Sequence, residues 1–227
     1  MRDLGGIKTS DGAEISYGKL IRSAYSADAV EEDLTGISTI IDLRTIEETK
    51  EKPEIIFDGI TYLHQPIFNG RVKGISQESR NRWVGAPDMG EIYARIVDHH
   101  FESFRTTLLT IMDHDYSTGA ILWHCSEGKD RCGITTALVL EVLGVPRDTI
   151  MEDYLKTNQI NLEKARRVSE LVRAKRGDEA ADNVYKATIA HPEYLEAAWG
   201  AMGEDYIHGC LGIDDQKIRT FREIILQ

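Results

Sequence analysis

Residues 38–43 (Ser-Thr-Ile-Ile-Asp-Leu) form a short apolar run rich in β-branched side chains, the pattern of a strand buried on both faces. Residues 60–67 repeat that character, and Ala120 to His124 is a third apolar run. Residues 1–23 differ. Ile15 and Tyr17 alternate with polar neighbours, and Gly5-Gly6 and Asp11-Gly12 are turn signals, so a short hairpin is predicted.

Helical spacing takes over elsewhere. Ile92, Ile96, Phe104, Leu108 and Ile111 share one face of a helix predicted over 91–114. A helix from about Cys132 to Leu143 is stopped by Gly144 and Pro146. Beyond it the pattern predicts one helix from Asp153 to about Arg176, basic in its second half, then shorter helices near 179–190, 193–204 and 214–226. Strand, loop and helix repeated in this order predict an α/β fold: a mainly parallel central sheet flanked by helices, with a helical C-terminal part, 153–227. Residues 70–90 are glycine-rich, contain Pro87, and intersperse Arg71, Lys73, Arg80, Arg82 and Trp83. They read as a lid. No linker composition or internal repeat divides the chain, so 1–227 is expected to be a single domain.

Composition narrows the function classes. With 227 residues, 41% of them hydrophobic, the chain can bury a sizeable core. Its net charge of −11 repels nucleic acid, so no nucleic-acid partner is expected. No apolar run approaches the roughly 20 residues that span a bilayer, so stable membrane insertion is not expected either. Three cysteines, an odd and small number, suit a reducing compartment. The cytoplasm is the default location, with secretion open if a signal peptide is missing from this sequence. The sequence gives no oligomeric state.

Chemistry concentrates in His124-Cys-Ser-Glu-Gly-Lys-Asp-Arg-Cys-Gly133. A cysteine ends a strand, and an arginine follows six residues later where a helix begins. A loop of this length can wrap the backbone N–H groups of Ser126, Glu127, Gly128 and Lys129 around one tetrahedral anion. The helix adds its unsatisfied amides and positive dipole end. Gly128 permits close approach or positive φ, and Arg131 can grip two phosphate oxygens in a planar fork. The same field favours the thiolate of Cys125, an in-line nucleophile beneath a bound phosphoryl group. The expected intermediate is a phosphocysteine. Asp130, inside the loop, is the first choice of general acid and base. Asp88, after Pro87 on the expected lid, is the alternative.

These residues match the phosphatase signature His-Cys-five residues-Arg, and the Gly-Lys-Asp-Arg version resembles the bacterial atypical tyrosine phosphatases, including secreted mycobacterial and listerial enzymes. Arg2-Asp3-Leu4-Gly5-Gly6, Gly18-Lys19-Leu20-Ile21-Arg22-Ser23, Ile41-Asp42-Leu43-Arg44 with Glu47, and Asp153-Tyr154-Leu155 are similar to other segments of that family. The resemblance spans nearly the whole chain. It implies a protein tyrosine phosphatase fold and a phosphotyrosine protein or phosphoinositide substrate, with phosphoserine and phosphothreonine also in range. Inorganic phosphate would be the product, with no cofactor or metal. It also implies Cys125 as nucleophile, Arg131 as phosphate clamp, Asp130 as loop acid, Lys129 as an extra cation and His124 as a group tuning the thiolate from behind.

One position departs from the pattern. Where the family has a Thr or Ser hydroxyl that donates to the thiolate, this chain has Cys132, a weaker donor. Slower breakdown of the intermediate is expected, and Cys132 could trap Cys125 as a disulfide. The rival class is a pseudophosphatase that binds phosphorylated partners with little turnover; a rhodanese-like thiol transferase fits less well. Asp42 and Arg44, at a strand end, either orient Arg131 or Asp130 or form a structural ion pair. The histidines show no metal spacing, and His124, Cys125 and Cys132 crowd one loop too closely for a zinc set.

Overall fold

The computed structural model describes residues 1–25, 30–70, 75 and 88–227. The lid expected within 70–90 therefore falls almost wholly outside the described residues. Five strands form one sheet: β1 (Arg2–Asp3), β2 (Leu20–Ala24), β3 (Ile37–Asp42), β4 (Thr61–His64) and β5 (Ala120–Cys125). Their order is β1-β2-β5-β3-β4, with β1 antiparallel to β2 and every other pair parallel. The expected N-terminal hairpin is thus only partly formed: β1 reaches β2, but β2 gives its other edge to β5.

The helices are α1 (Ile46–Glu51), α2 (Met89–His99), α3 (Phe101–Met112), α4 (Asp130–Leu143), α5 (Arg147–Leu155), α6 (Asn158–Arg176), α7 (Asp178–Thr188), α8 (Pro192–Met202) and α9 (Asp215–Ile225). None of the described helices is long and apolar enough to cross a membrane.

The chain divides into two compact units. One comprises residues 1–70, 100–150 and 204–227; the other comprises 71–99 and 151–203. In the first, β5 is buried along its whole length, and α4 packs on β5 and β2 with α3 and α9 against it. Ile21, Ile37, Ile40 and Leu122 build a second apolar layer with Phe57, Ile60 and Tyr62. Gly144 ends α4 in a left-handed conformation, φ 81°, as an αL cap requires. In the second unit α2 packs on α8, and α6 on α7.

Two helices predicted as continuous are broken. The segment 91–114 divides at His100, whose carbonyl starts α3 by accepting from the Phe104 N–H. The helix expected to open at Asp153 is two: α5 ends at Leu155 and α6 opens at Asn158. At His100 the apolar positions keep helical spacing across the break, from Ile96 and Val97 to Phe104, Leu108 and Ile111, so periodicity gives no sign of it. Helix α4 begins at Asp130, two residues before the expected start, because the Lys129 carbonyl already accepts from the Gly133 N–H at 2.8 Å.

Candidate active site

The site lies at the carboxyl ends of the central strands, where open α/β sheets carry their ligands. Register sets its side chains: Asp42 on β3 stands opposite His124 on β5, and Ala24 on β2 opposite Cys125. Successive residues alternate faces. Leu122 and His124 look toward a cavity of about 250 Å³ that Ser23, Tyr25, Glu54 and Phe57 also line. Trp123, whose indole donates to Thr136 Oγ1 on α4 at 3.0 Å, and Cys125 take the other face.

After Cys125 the chain turns at once into α4. Gly128 has φ +61°, and a Cβ there would lie 2.8 Å from the Ala24 nitrogen and 2.9 Å from the Ser23 carbonyl oxygen. Only glycine fits both the conformation and the approach. Its carbonyl accepts from Nη2 of the buried Arg22 at 2.8 Å. The loop is thereby tied to β2 by its outer edge.

Arg131, in the first turn of α4, is only 1% exposed. Glu48 takes both ends of its fork: Nη1 donates to Oε2 at 2.5 Å and Nη2 to Oε1 at 3.0 Å. Nη1 also reaches the Leu43 carbonyl and Nη2 reaches Ser126 Oγ, both at 3.4 Å. The Phe68 ring lies 5.2 Å from the guanidinium carbon. Nε is buried and makes no hydrogen bond among the described residues.

Glu48 is the residue that sequence reasoning missed. Thr45-x-x-Glu48 is a capping box: Thr45 Oγ accepts from the Glu48 N–H, and Glu48 Oε2 accepts from the Thr45 N–H at 2.9 Å. That signature marks the start of α1. It does not reveal that the same carboxylate turns to Arg131, nor that Ser126 donates to its Oε1 at 2.7 Å. Burial pushes the Glu48 carboxyl up, but Arg131, Ser126 and the Thr45 amide outweigh it and hold its pKa at about 2. Arg131 is likewise disfavoured by burial and more than restored by Glu48 and Cys125.

Asp42 and Arg44 are brought to each other, and Arg131 to Glu48. Arg44 Nε lies 2.9 Å from Asp42 Oδ1, and Nη2 lies 2.7 Å from both Asp42 Oδ2 and Glu54 Oε2. Tyr62 donates to Asp42 Oδ2 at 2.9 Å, and the Tyr25 ring stacks 4.0 Å from the guanidinium carbon. Burial lifts Glu54 to about 7, opposed by Arg44 and reinforced by Asp42. Burial also lowers His124 to about 4 despite Asp42 nearby, so its ring is neutral near pH 7. Among the described residues neither ring nitrogen of His124 has a hydrogen-bond partner, though Nε2 lies 3.4 Å from Glu54 Oε2. Asp42, Glu54 and His124 could together offer three ligand atoms to a metal. Arg44 already bonds both carboxylates and supplies the cation that such a cluster needs.

Lys129 and Asp130 are both buried and paired at 3.1 Å. Cys132 is fully buried; burial raises its thiol to about 11 against the pull of Arg22. The thiol donates to the Trp123 carbonyl, with sulfur and oxygen 3.8 Å apart. Its donor is therefore turned to the strand backbone. Glu127 is half-buried. Asp88 belongs to the second unit, where its carboxylate accepts from the Glu91 N–H at 3.0 Å at the start of α2.

With this geometry in hand, comparison with known proteins gives the class. The chain belongs to the tyrosine phosphatase family, whose model matches residues 1–227. Its relatives have matching names. A candidate tyrosine-protein phosphatase of Cupriavidus necator is 25% identical over 230 residues, 96% of this chain and 83% of that protein. A triple specificity protein phosphatase of Mycobacterium tuberculosis is 35% identical over 120 residues, 47% of this chain and 44% of that one. A tyrosine-protein phosphatase of Nostoc commune is 31% identical over 121 residues, 52% of this chain and 40% of that one. The protein is accordingly an enzyme, a protein tyrosine phosphatase.

Proposed function

We propose that the enzyme hydrolyses phosphomonoesters through a phosphocysteine at Cys125, with phosphotyrosine in a protein as its first substrate. The observation that carries this is the buried Nε of Arg131, which has no hydrogen-bond partner among the described residues. Glu48 fixes the fork from one side, and the remaining donor meets no acceptor among the described residues, as suits an anion site.

In the first step Cys125 Sγ bonds to phosphorus as the ester P–O bond breaks, and Asp130 gives its proton to the leaving oxygen. In the second step water attacks phosphorus, Asp130 takes a proton from it, and the S–P bond breaks to return the thiolate and release inorganic phosphate. Amides of Ser126 to Asp130 and the α4 dipole would stabilise the charge on the transferring group. Lys129 would hold Asp130 in place and add positive charge.

A second reading, a phospho-ligand binder with slow turnover, is favoured by Cys132. Its thiol is spent on the Trp123 carbonyl instead of assisting departure of the Cys125 thiolate. Rapid-quench kinetics on an aryl phosphate decide between them. Sustained turnover, abolished by Cys125→Ser, supports the enzyme reading; stoichiometric binding without release supports the other. The Mycobacterium relative is named for triple specificity, so phosphotyrosine peptide, phosphoserine peptide and phosphoinositide belong in one panel.

A further inference from the structure

Helix α6 stands apart from the rest of the chain in charge. It carries six Lys or Arg residues against only Glu163 and Glu170, in a protein of net charge −11. Its inward side is Asn161, Ala165 and Ser169, spaced at i, i+4 and i+8. Ile160 is 76% exposed and Leu171 is 59% exposed. At 3.6 residues and 5.4 Å per turn these two lie on one line along the helix, about 16 Å apart. Lys164, Arg167 and Lys175, all exposed, fall within about 50° of that line. Both glutamates lie farther from that line, at about 70° and 90°, on its other side from Lys164 and Lys175.

We propose that this stripe of α6 is a docking surface for an anionic lipid bilayer. Aliphatic side chains projecting from a convex face, bracketed by long cationic ones, match the interface between acyl chains and acidic headgroups. A peptide would need a groove, whereas the outward face of a single helix is convex and suits a plane. The protein's overall charge repels such a surface, so attraction must come from this local stripe, acting within the screening length of about 8 Å at physiological salt. The proposal stands whether or not Cys125 turns over substrate.

Vesicle sedimentation of the full chain tests it, using phosphatidylcholine alone and phosphatidylcholine containing phosphatidylserine. The expected result is binding to the mixed vesicles at least about tenfold above phosphatidylcholine alone, weakened by high salt. Arg167→Glu, and separately the pair Ile160→Ser and Leu171→Ser, should each lower that binding about tenfold with helical circular dichroism unchanged. Arg166→Glu lies on the glutamate flank and should change it by no more than about twofold. Equal binding to both vesicle types, no binding to either, or an Arg166→Glu loss as large as that of Arg167→Glu would overturn the proposal.

Discussion

Glu48 and Arg131 meet as a bidentate pair, 2.5 and 3.0 Å, with neither side chain more than 3% exposed. Removing one partner of a buried pair strands the other charge, at a cost of about 3–5 kcal/mol. Glu48→Ala should therefore lower the unfolding free energy by an amount in that range. Glu48→Gln, which keeps the shape, should fold and lower kcat/KM about 10-fold to 100-fold through a loosened Arg131. Denaturant melts and steady-state kinetics on an aryl phosphate measure both effects; an unchanged kcat/KM for Glu48→Gln would mean the pair does not position the clamp.

The same carboxyl sets an acid limit. Its folded pKa, about 2, lies below the ordinary carboxylate value. The stability it contributes is complete above the unfolded value of about 4.3, and is lost as pH falls from there through about 2. Wild type should lose stability over that window more steeply than Glu48→Gln, as read by thermal melts at stepped pH.

Glu54 works in the opposite sense. Its folded pKa is raised to about 7, so its contribution is complete below the unfolded value and fades as pH rises through about 7. Glu54→Gln should gain in melting temperature relative to wild type from pH 6 to pH 8, and the difference should vanish near pH 4. A difference that does not change with pH would mean that the buried carboxyl is not what titrates.

Asp130→Asn should slow hydrolysis of a phosphotyrosine peptide about 10²-fold to 10⁴-fold, and much less for an ester with a strongly acidic leaving group that needs no proton. Asp88→Asn should be nearly silent on both substrates. The reverse pattern would transfer the acid role to Asp88.

Cys132→Thr restores a hydroxyl beside Cys125. The expected outcome is faster release of phosphate from the intermediate, seen as a higher steady-state rate with a burst amplitude no larger than that of wild type. If neither rate moves, the thiol at 132 is not what limits turnover.

The parts of the candidate site that were legible in the sequence are those fixed by local order. Cys125, Gly128, Asp130 and Arg131 follow one another across a strand end, a turn and a helix start, and each step has its own signal. Glu48 was not legible because its link to Arg131 spans 83 positions. Its local signal, the capping box, is complete without any active site. Asp42 and Arg44 were legible as a pair at a strand end, but not the position of Glu54, which follows β3 and α1 and closes on Arg44 through folding alone. The helix break at His100 was hidden for a related reason. An apolar stripe reports which side of a helix is buried and says nothing about where the hydrogen-bond ladder stops.

The pairing of β3 with β5 carries an irregularity between Ile37 and Thr39, where one extra residue is absorbed before the register settles. Beyond it the count is strict, and strand parity alone decides whether sulfur or imidazole faces the α4 side. A single residue inserted between Leu122 and His124 would move the imidazole into the place of the sulfur. The chain could keep its sheet and most of its hydrophobic interior, yet present a histidine where the thiol belongs, so loss of activity in such an insertion mutant need not signal a misfolded protein.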